Sequence, residues 1–189
     1  MPLVGNEALR AALIGPTRSG PMKEQQHDNP ASPAEVADRI WELAEKIDIC
    51  MLTTWTGEEQ HSRPMSARPR RDENAFYFLA DVSGEKNAEI ERFPTVSLAW
   101  ADNSNYRYVL VSGKAELSDD RTKIAELWSE TDKIWWEDMD DPTIRVLKVT
   151  PERGEIWDSP NKVISGAKML MSFVTGSAPD LGDNAEVRL

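Results

Sequence analysis

Apolar residues after the first thirty positions follow a helical period. Between residues 36 and 47 they recur every three or four positions, which is typical of an amphipathic helix packed on one side. Ser32 comes directly before Pro33 and three residues before Glu35, a pattern typical of a helix N-terminus. The pattern therefore predicts a helix that begins at Ser32 and runs to Ile47.

The period then changes to that of strands. Segments rich in β-branched and aromatic residues, bounded by turn-forming residues, predict up to seven strands. They cover residues 49–55, 60–67, 75–80, 96–100, 106–117, 144–150 and 154–157. Helical spacing returns over residues 86–93, after residue 118 and over residues 163–175. Most connections are too short for parallel crossovers, so we predict a mainly β protein with peripheral α-helices. Its antiparallel sheet of six to seven strands forms a closed or nearly closed barrel.

Composition divides the chain into three parts. Residues 1–31 show no regular pattern and predict a disordered leader, and residues 177–189 predict a polar C-terminal tail. The predicted helices and strands lie within residues 32–176, a length that suits one domain.

Charge and cysteine content narrow the functional classes. The net charge is -11, and such a surface repels nucleic acid and anionic lipid, so we expect neither as a partner. No apolar run reaches the roughly 20 residues that a membrane helix needs. The single cysteine, Cys50, cannot form an intrachain disulfide, which fits a reducing cytoplasm, and we expect it to be a buried apolar residue. Two histidines and one cysteine argue against a multi-ligand zinc site, and we expect no metal.

Basic residues concentrate where two predicted strands lead into a helix. Arg63 and Arg68 lie on the first strand, and a turn after the second strand carries Ser83 and Gly84 before Lys86. A helix N-terminus offers free N–H groups to an anion, and arginine binds phosphate through two hydrogen bonds, so these residues suit a phosphate site. Spacing alone favours the simpler interpretation, in which the serine caps the helix beside a solvated lysine and surface arginines.

An ordered set of short motifs shifts the interpretation of these residues towards a phosphate site. They are Ser62–Met65, Phe76–Leu79, Lys86, Pro94–Trp100, Asp141-Pro142, Leu147–Arg153 and Trp157-Asp158. In this order they resemble the pyridoxamine 5′-phosphate oxidase-like flavoproteins, and more closely their general stress protein branch. The resemblance covers about residues 33 to 189. It implies an FMN-binding split β-barrel that works as a homodimer, with two flavin sites at the subunit interface.

The resemblance also implies which residues contact the cofactor. Residues 63–66 would meet the flavin ring and ribityl chain mainly through backbone groups, and Lys86 would bind the phosphate. Arg68 falls where the oxidases have a phosphate-side lysine, and Tyr108 or Arg107 where they have a flavin-contacting glutamine. With Ser83 from the turn, the candidate cofactor-binding residues are Arg63, Pro64, Met65, Ser66, Arg68, Leu79, Ala80, Ser83, Lys86, Tyr108 and Trp157.

Several positions depart from the family pattern or admit a structural role. Glu85 lies where the oxidases usually have arginine, and this difference weakens the expected binding of the phosphate. Tyr108 and Trp157 are equally compatible with packing roles. Trp135 and Trp136 are expected either to line the pocket or to cover the barrel, and we favour cover. Residues 184–189 hold nothing like the arginine-rich substrate segment of the true oxidases, so pyridoxamine phosphate oxidation is not expected.

These observations predict a cytoplasmic FMN-dependent oxidoreductase acting on a small molecule, with NAD(P)H as a candidate reductant. The alternative is a stress protein that binds or senses flavin without turnover. A third interpretation keeps the barrel and changes the ligand to haem or a deazaflavin, although the low histidine content argues against haem. No catalytic residue is assigned, because the flavin itself performs the redox chemistry.

Overall fold

The computed structural model of the protein describes residues 32–158 and 183–189. The predicted leader and the helix predicted over residues 163–175 lie outside the described residues. Within the described part of the chain, no helix is both long and apolar enough to cross a membrane.

The first helix, α1, spans Pro33–Ile47 as the pattern predicts. The Ser32 hydroxyl accepts a hydrogen bond from the Glu35 N–H at 3.3 Å, and the Glu35 carboxylate accepts one from the Ser32 N–H at 2.7 Å. This reciprocal pair satisfies two N–H groups that would otherwise lack a partner. The apolar face buries Val36 and Ile40 in the core, so the predicted helix is confirmed.

All eight described strands belong to one sheet, and every pairing is antiparallel. The strands are β1 Ile49–Trp55, β2 Gln60–Ser66, β3 Arg68–Arg70, β4 Ala75–Asp81, β5 Thr95–Asp102, β6 Arg107–Ser118, β7 Ile144–Asp158 and β8 Asp183–Arg188. Their order is β2-β1-β5-β6-β7-β4-β3, and β8 pairs with β7. Only Ala67 separates β2 from β3, so the two ends of this order are consecutive in the chain and the sheet must curl. The fold is the predicted antiparallel split β-barrel.

Helices and short turns lie at the periphery of the sheet. Helix α2 spans Glu85–Arg92 and α3 spans Arg121–Leu127, close to their predicted positions. Two 3-10 helices cover Arg71–Glu73 and Glu130–Ile134. The second of these leads into the Trp135 and Trp136 segment.

The sheet differs from the prediction at β3, β7 and β8. Arg68, predicted on the same strand as Arg63, lies on the separate short strand β3. Residues 144–150 and 154–157 form one strand, β7, whose first half pairs with β4 and whose second half pairs with β8. Strand β8 lies where we predicted a polar tail. It was missed because only alternate residues, such as Ala185 and Val187, pack against the core, and polar residues stand between them.

A β-bulge lies at Gly113. The register between β6 and β7 shifts between Ser112 and Gly113. A Cβ atom at Gly113 would lie only 2.3 Å from the Thr150 carbonyl oxygen, so glycine lets the two backbones approach each other.

Strand β4 separates two clusters of buried side chains. Phe76 and Phe78 enter the larger cluster inside the barrel, where Phe76 stacks on Trp41 with ring centroids 4.2 Å apart. Tyr77 and Leu79 face the smaller cluster, which includes residues of α3. Because β4 is buried on both faces and pairs with β3 and β7, its position in the sheet is fixed on every side.

Cys50 lies in the larger cluster with 1% of its surface exposed. Burial raises the pKa of its thiol to about 12. The prediction of a buried apolar cysteine is confirmed.

Candidate functional site

A cavity of about 400 Å³ lies between β2, β4, the start of α2 and the segment after α3. Its volume falls within the range of small-molecule sites. Eight of the predicted residues line it, namely Arg63, Pro64, Met65, Ser66, Arg68, Leu79, Ala80 and Lys86. The remaining lining residues are Asp81, Asp132, Trp135 and Trp136. Residues that are up to 73 positions apart in the chain therefore meet at one cavity.

At one end of the cavity, a buried carboxylate holds Arg63. The Arg63 Nη2 group donates a hydrogen bond to Glu89 Oε2 at 3.1 Å, and the Thr54 hydroxyl donates to the same oxygen. Glu89 Oε1 lies 2.8 Å from His61 Nδ1. Burial alone would raise the pKa of the Glu89 carboxyl, but these hydrogen bonds together hold it below its usual value. Sequence reasoning missed Glu89, whose partners lie 26 and 28 residues away.

A buried hydrogen-bond donor stays unpartnered at this end among the described residues, although Arg63 is paired with Glu89. The Arg63 Nη1 atom is buried and has no hydrogen-bond partner within residues 32–158 and 183–189. Burial, and then the nearby positive charge of Arg63, lower the pKa of the Lys86 ammonium. A Cβ atom at Gly84 would lie 2.6 Å from Lys86 Nζ, so glycine leaves room for the ammonium to fold back over the turn. A buried donor without a partner beside a desolvated cation suits an anion such as phosphate.

At the other end of the cavity, Arg68 is neutralised within the protein. Its Nη2 atom lies 2.5 Å from Asp132 Oδ1, and its Nε atom donates to the Leu127 carbonyl at 3.1 Å. The side chains of Arg68 and Asp132 are 15% and 8% exposed. The second oxygen of Asp132 accepts hydrogen bonds from the Ser129 N–H and hydroxyl. Arg68 therefore contributes a fixed wall of the cavity, with its charge already paired.

Two tryptophans complete the wall beside Arg68. Trp135 is 77% exposed, whereas Trp136 is half-buried and packs against the smaller core cluster. The backbone N–H groups of both residues donate to the Asp132 carbonyl, at 2.9 and 3.1 Å. Both tryptophans line the cavity, so the favoured expectation that they only cover the barrel is wrong. The signal was present in the sequence as two adjacent indoles in a polar loop.

Three predicted residues do not line the cavity. Ser83 is exposed, and its N–H donates to the Asp81 carboxylate at 2.7 Å. It does not cap α2, which begins after Gly84, so the serine-cap interpretation is wrong. Tyr108 and Trp157 are directly opposite each other on β6 and β7, away from this cavity.

The fold and this cavity define a class: a split-barrel protein with a cavity whose lining includes basic side chains and two tryptophans. Residues 35–180 match the model of the family described as pyridoxamine 5′-phosphate oxidase like. The chain belongs to that family.

Individual relatives share the fold at low sequence identity. General stress protein 26 of Bacillus subtilis strain 168 is 24% identical over 121 residues, which are 62% of this chain and 85% of the relative. The crystal structure of a candidate general stress protein 26 from Jannaschia sp. CCS1 has 24% identity and a TM-score of 0.67, covering 82% of this chain and 99% of its own. The general stress FMN/FAD binding protein from Xanthomonas citri has 20% identity and a TM-score of 0.61, covering 68% and 92%.

Proposed function

We propose that this protein binds FMN in the cavity between β2 and β4. The observation that carries the proposal is the cationic end of the cavity, where the buried Arg63 Nη1 atom lacks a partner among the described residues and Lys86 is desolvated. The Xanthomonas citri relative is described as an FMN/FAD binding protein, which supports a flavin as the ligand.

The lining residues fit the two parts of such a ligand. Arg63 and Lys86 would hold the phosphate, since each can donate charge-assisted hydrogen bonds to it. The backbone of Pro64–Ser66 would run along the ribityl chain and the ring. Leu79 and Ala80 are buried at the end of β4 and offer an apolar surface to the ring.

We further propose that the protein is a flavin-dependent oxidoreductase of the cytoplasm, with NAD(P)H as reductant and a small molecule as acceptor. The flavin supplies electron and hydride transfer, whereas the residues of the cavity bind, orient and exclude water. The pairing of Arg68 with Asp132 supports an activity other than pyridoxamine phosphate oxidation, because this guanidinium is not available to a substrate phosphate.

A second candidate function is flavin binding without turnover. The two carboxylates that line the cavity, Asp81 and Asp132, already accept hydrogen bonds from Ser83 and Arg68. Both carboxylates are thus engaged by groups of the protein itself, which favours binding over proton transfer by either of them. Anaerobic stopped-flow mixing of the FMN-loaded protein with NADPH separates the two functions. Bleaching of the flavin band within seconds supports the oxidoreductase, and no reduction over minutes supports the binding protein.

We propose that the site is completed by a second copy of the chain. Tyr108 and Trp157 form a cross-strand pair, and Trp157 is 37% exposed. Ile49 and Met51 on β1 are 50% and 41% exposed, so the outer sheet surface carries large apolar side chains. Packing of two such surfaces would cover them and carry the aromatic pair of one subunit to the flavin of the other. Light scattering tests this directly: a dimer of twice 21.3 kDa is expected, and a flavin-loaded monomer contradicts it.

The phosphate assignment is tested by Lys86→Met, which keeps an unbranched side chain and removes the charge. Loss of a charge-assisted hydrogen bond predicts an FMN dissociation constant raised about tenfold or more. The matched control is Lys114→Met, because Lys114 is exposed on β6 and contacts Thr95 rather than the cavity. Equal dissociation constants for wild type and Lys86→Met would refute the assignment.

A further inference from the structure

We infer that the Arg68 end of the cavity is a subsite for a second ligand, a flat aromatic or conjugated ring that is neutral or cationic, stacked on Trp135 beside the flavin. This inference rests on the proposed flavin site. It concerns what the flavin would react with, and it follows from the wall formed by Arg68, Asp132, Trp135 and Trp136.

The wall presents an indole that the protein does not cover. Trp135 lines the cavity yet remains 77% exposed, while Trp136 anchors the segment in the smaller core cluster. An indole stacks favourably on other flat rings, in addition to the gain from burying its surface. A flat ring in the cavity would therefore cover the exposed face of Trp135.

The wall is held in place before any ligand arrives. The ion pair of Arg68 and Asp132 ties the 3-10 helix Glu130–Ile134 to the strand region of the site. Asp132 also fixes both ends of this turn, because its carboxylate accepts from Ser129 and its carbonyl accepts from the N–H groups of the two tryptophans. Fixed walls reduce the entropy that a ligand must lose on binding.

The charge around this subsite selects against anions. Arg68 is the one basic side chain among the four residues of this wall, and Asp132 neutralises it. The chain then continues through Glu137, Asp138, Asp140 and Asp141, with no basic residue among positions 134–142. A phosphorylated ring stacked on Trp135 would find no unpaired cation in this wall, whereas a neutral or cationic ring needs none.

Two probes of the same shape test the inference, 1-naphthol and 1-naphthyl phosphate. Each is dialysed to equilibrium against the full chain loaded with FMN. We expect 1-naphthol to bind at least tenfold more tightly than its phosphate. Trp135→Ala should weaken the binding of 1-naphthol about tenfold, a larger effect than its effect on the FMN dissociation constant. Asp132→Asn leaves the Arg68 charge unpaired, so it should reduce the ratio between the affinities for 1-naphthol and 1-naphthyl phosphate.

The matched control is Trp55→Ala, because Trp55 is 38% exposed and lines a different cavity. This substitution should change the dissociation constant of neither FMN nor 1-naphthol. If FMN binds normally and 1-naphthol does not, or if the phosphate binds equally well, the inference is wrong and the proposed flavin site stands. If Trp135→Ala weakens FMN binding and leaves 1-naphthol binding unaffected, the indole contacts the flavin instead and the inference is wrong. Failure of FMN itself to bind would instead refute the proposed function.

Discussion

Replacing Asp132 by alanine should destabilise the protein by about 3 kcal/mol. The substitution removes the partner of Arg68, whose side chain is only 15% exposed, and leaves a largely buried guanidinium without its counter-ion. Breaking one side of a buried ion pair costs about 3–5 kcal/mol, and the residual exposure of Arg68 places the expectation at the lower end. The Ser129 N–H also loses its acceptor at 2.8 Å.

Urea unfolding followed by tryptophan fluorescence measures this effect. With a urea dependence of about 2 kcal/mol per molar, the midpoint should fall by about 1.5 M. Glu137→Ala is the control, since Glu137 is exposed in the same acidic segment and its side chain makes no hydrogen bond among the described residues, so stability should change by less than about 0.5 kcal/mol. In a double-mutant cycle with Arg68→Met, the two losses should be strongly non-additive. A midpoint for Asp132→Ala within 0.3 M of wild type would refute the argument that this pair holds the wall.

Three further predictions concern other parts of the fold. The hydrogen bond to Glu89 raises the pKa of His61 in the folded protein. Protonated His61 therefore stabilises the fold fully below the unfolded pKa of about 6.5, and this contribution is lost as pH rises through the folded pKa. The loss of stability in His61→Gln should therefore be larger at pH 5.5 than at pH 8.5, and equal losses would contradict this. Cys50 should not react with a thiol reagent at pH 8 until guanidinium unfolds the protein, because burial raises its pKa to about 12; prompt labelling of the folded protein would contradict its burial. Gly113→Ala should lower the free energy of unfolding by about 2 kcal/mol, since its Cβ would lie 2.3 Å from the Thr150 carbonyl oxygen. An unchanged urea midpoint would contradict this and show that the β7 backbone can shift at little energetic cost.

Local patterns in the sequence predicted most of the fold. The capping box at Ser32 and the alternation along β1 depend on residues close together in the chain, so they can be read directly. Strand β8 was missed because its core-facing residues are few and small, with Ala185 and Val187 among polar neighbours. Its identity as a strand depends on pairing with β7, which no local pattern reports.

The site was predicted less completely, for the same reason. The lining residues of β2 and β4 and Lys86 follow from the motif order, and they do meet at one cavity. The partners that decide the charge of each arginine lie far away in sequence. Asp132 is 64 residues from Arg68, and Glu89 is 26 residues from Arg63. Only the folded chain reveals that one guanidinium is neutralised and the other keeps a buried donor free among the described residues.

Titration of the purified protein with FMN tests the central claim most directly. Flavin fluorescence should be quenched to saturation at one FMN per chain, and the combined variant Arg63→Met with Lys86→Met should abolish quenching while riboflavin, which has no phosphate, binds both proteins equally weakly. Unquenched FMN fluorescence with the folded wild-type protein, or equal FMN binding by the double variant, would contradict the account.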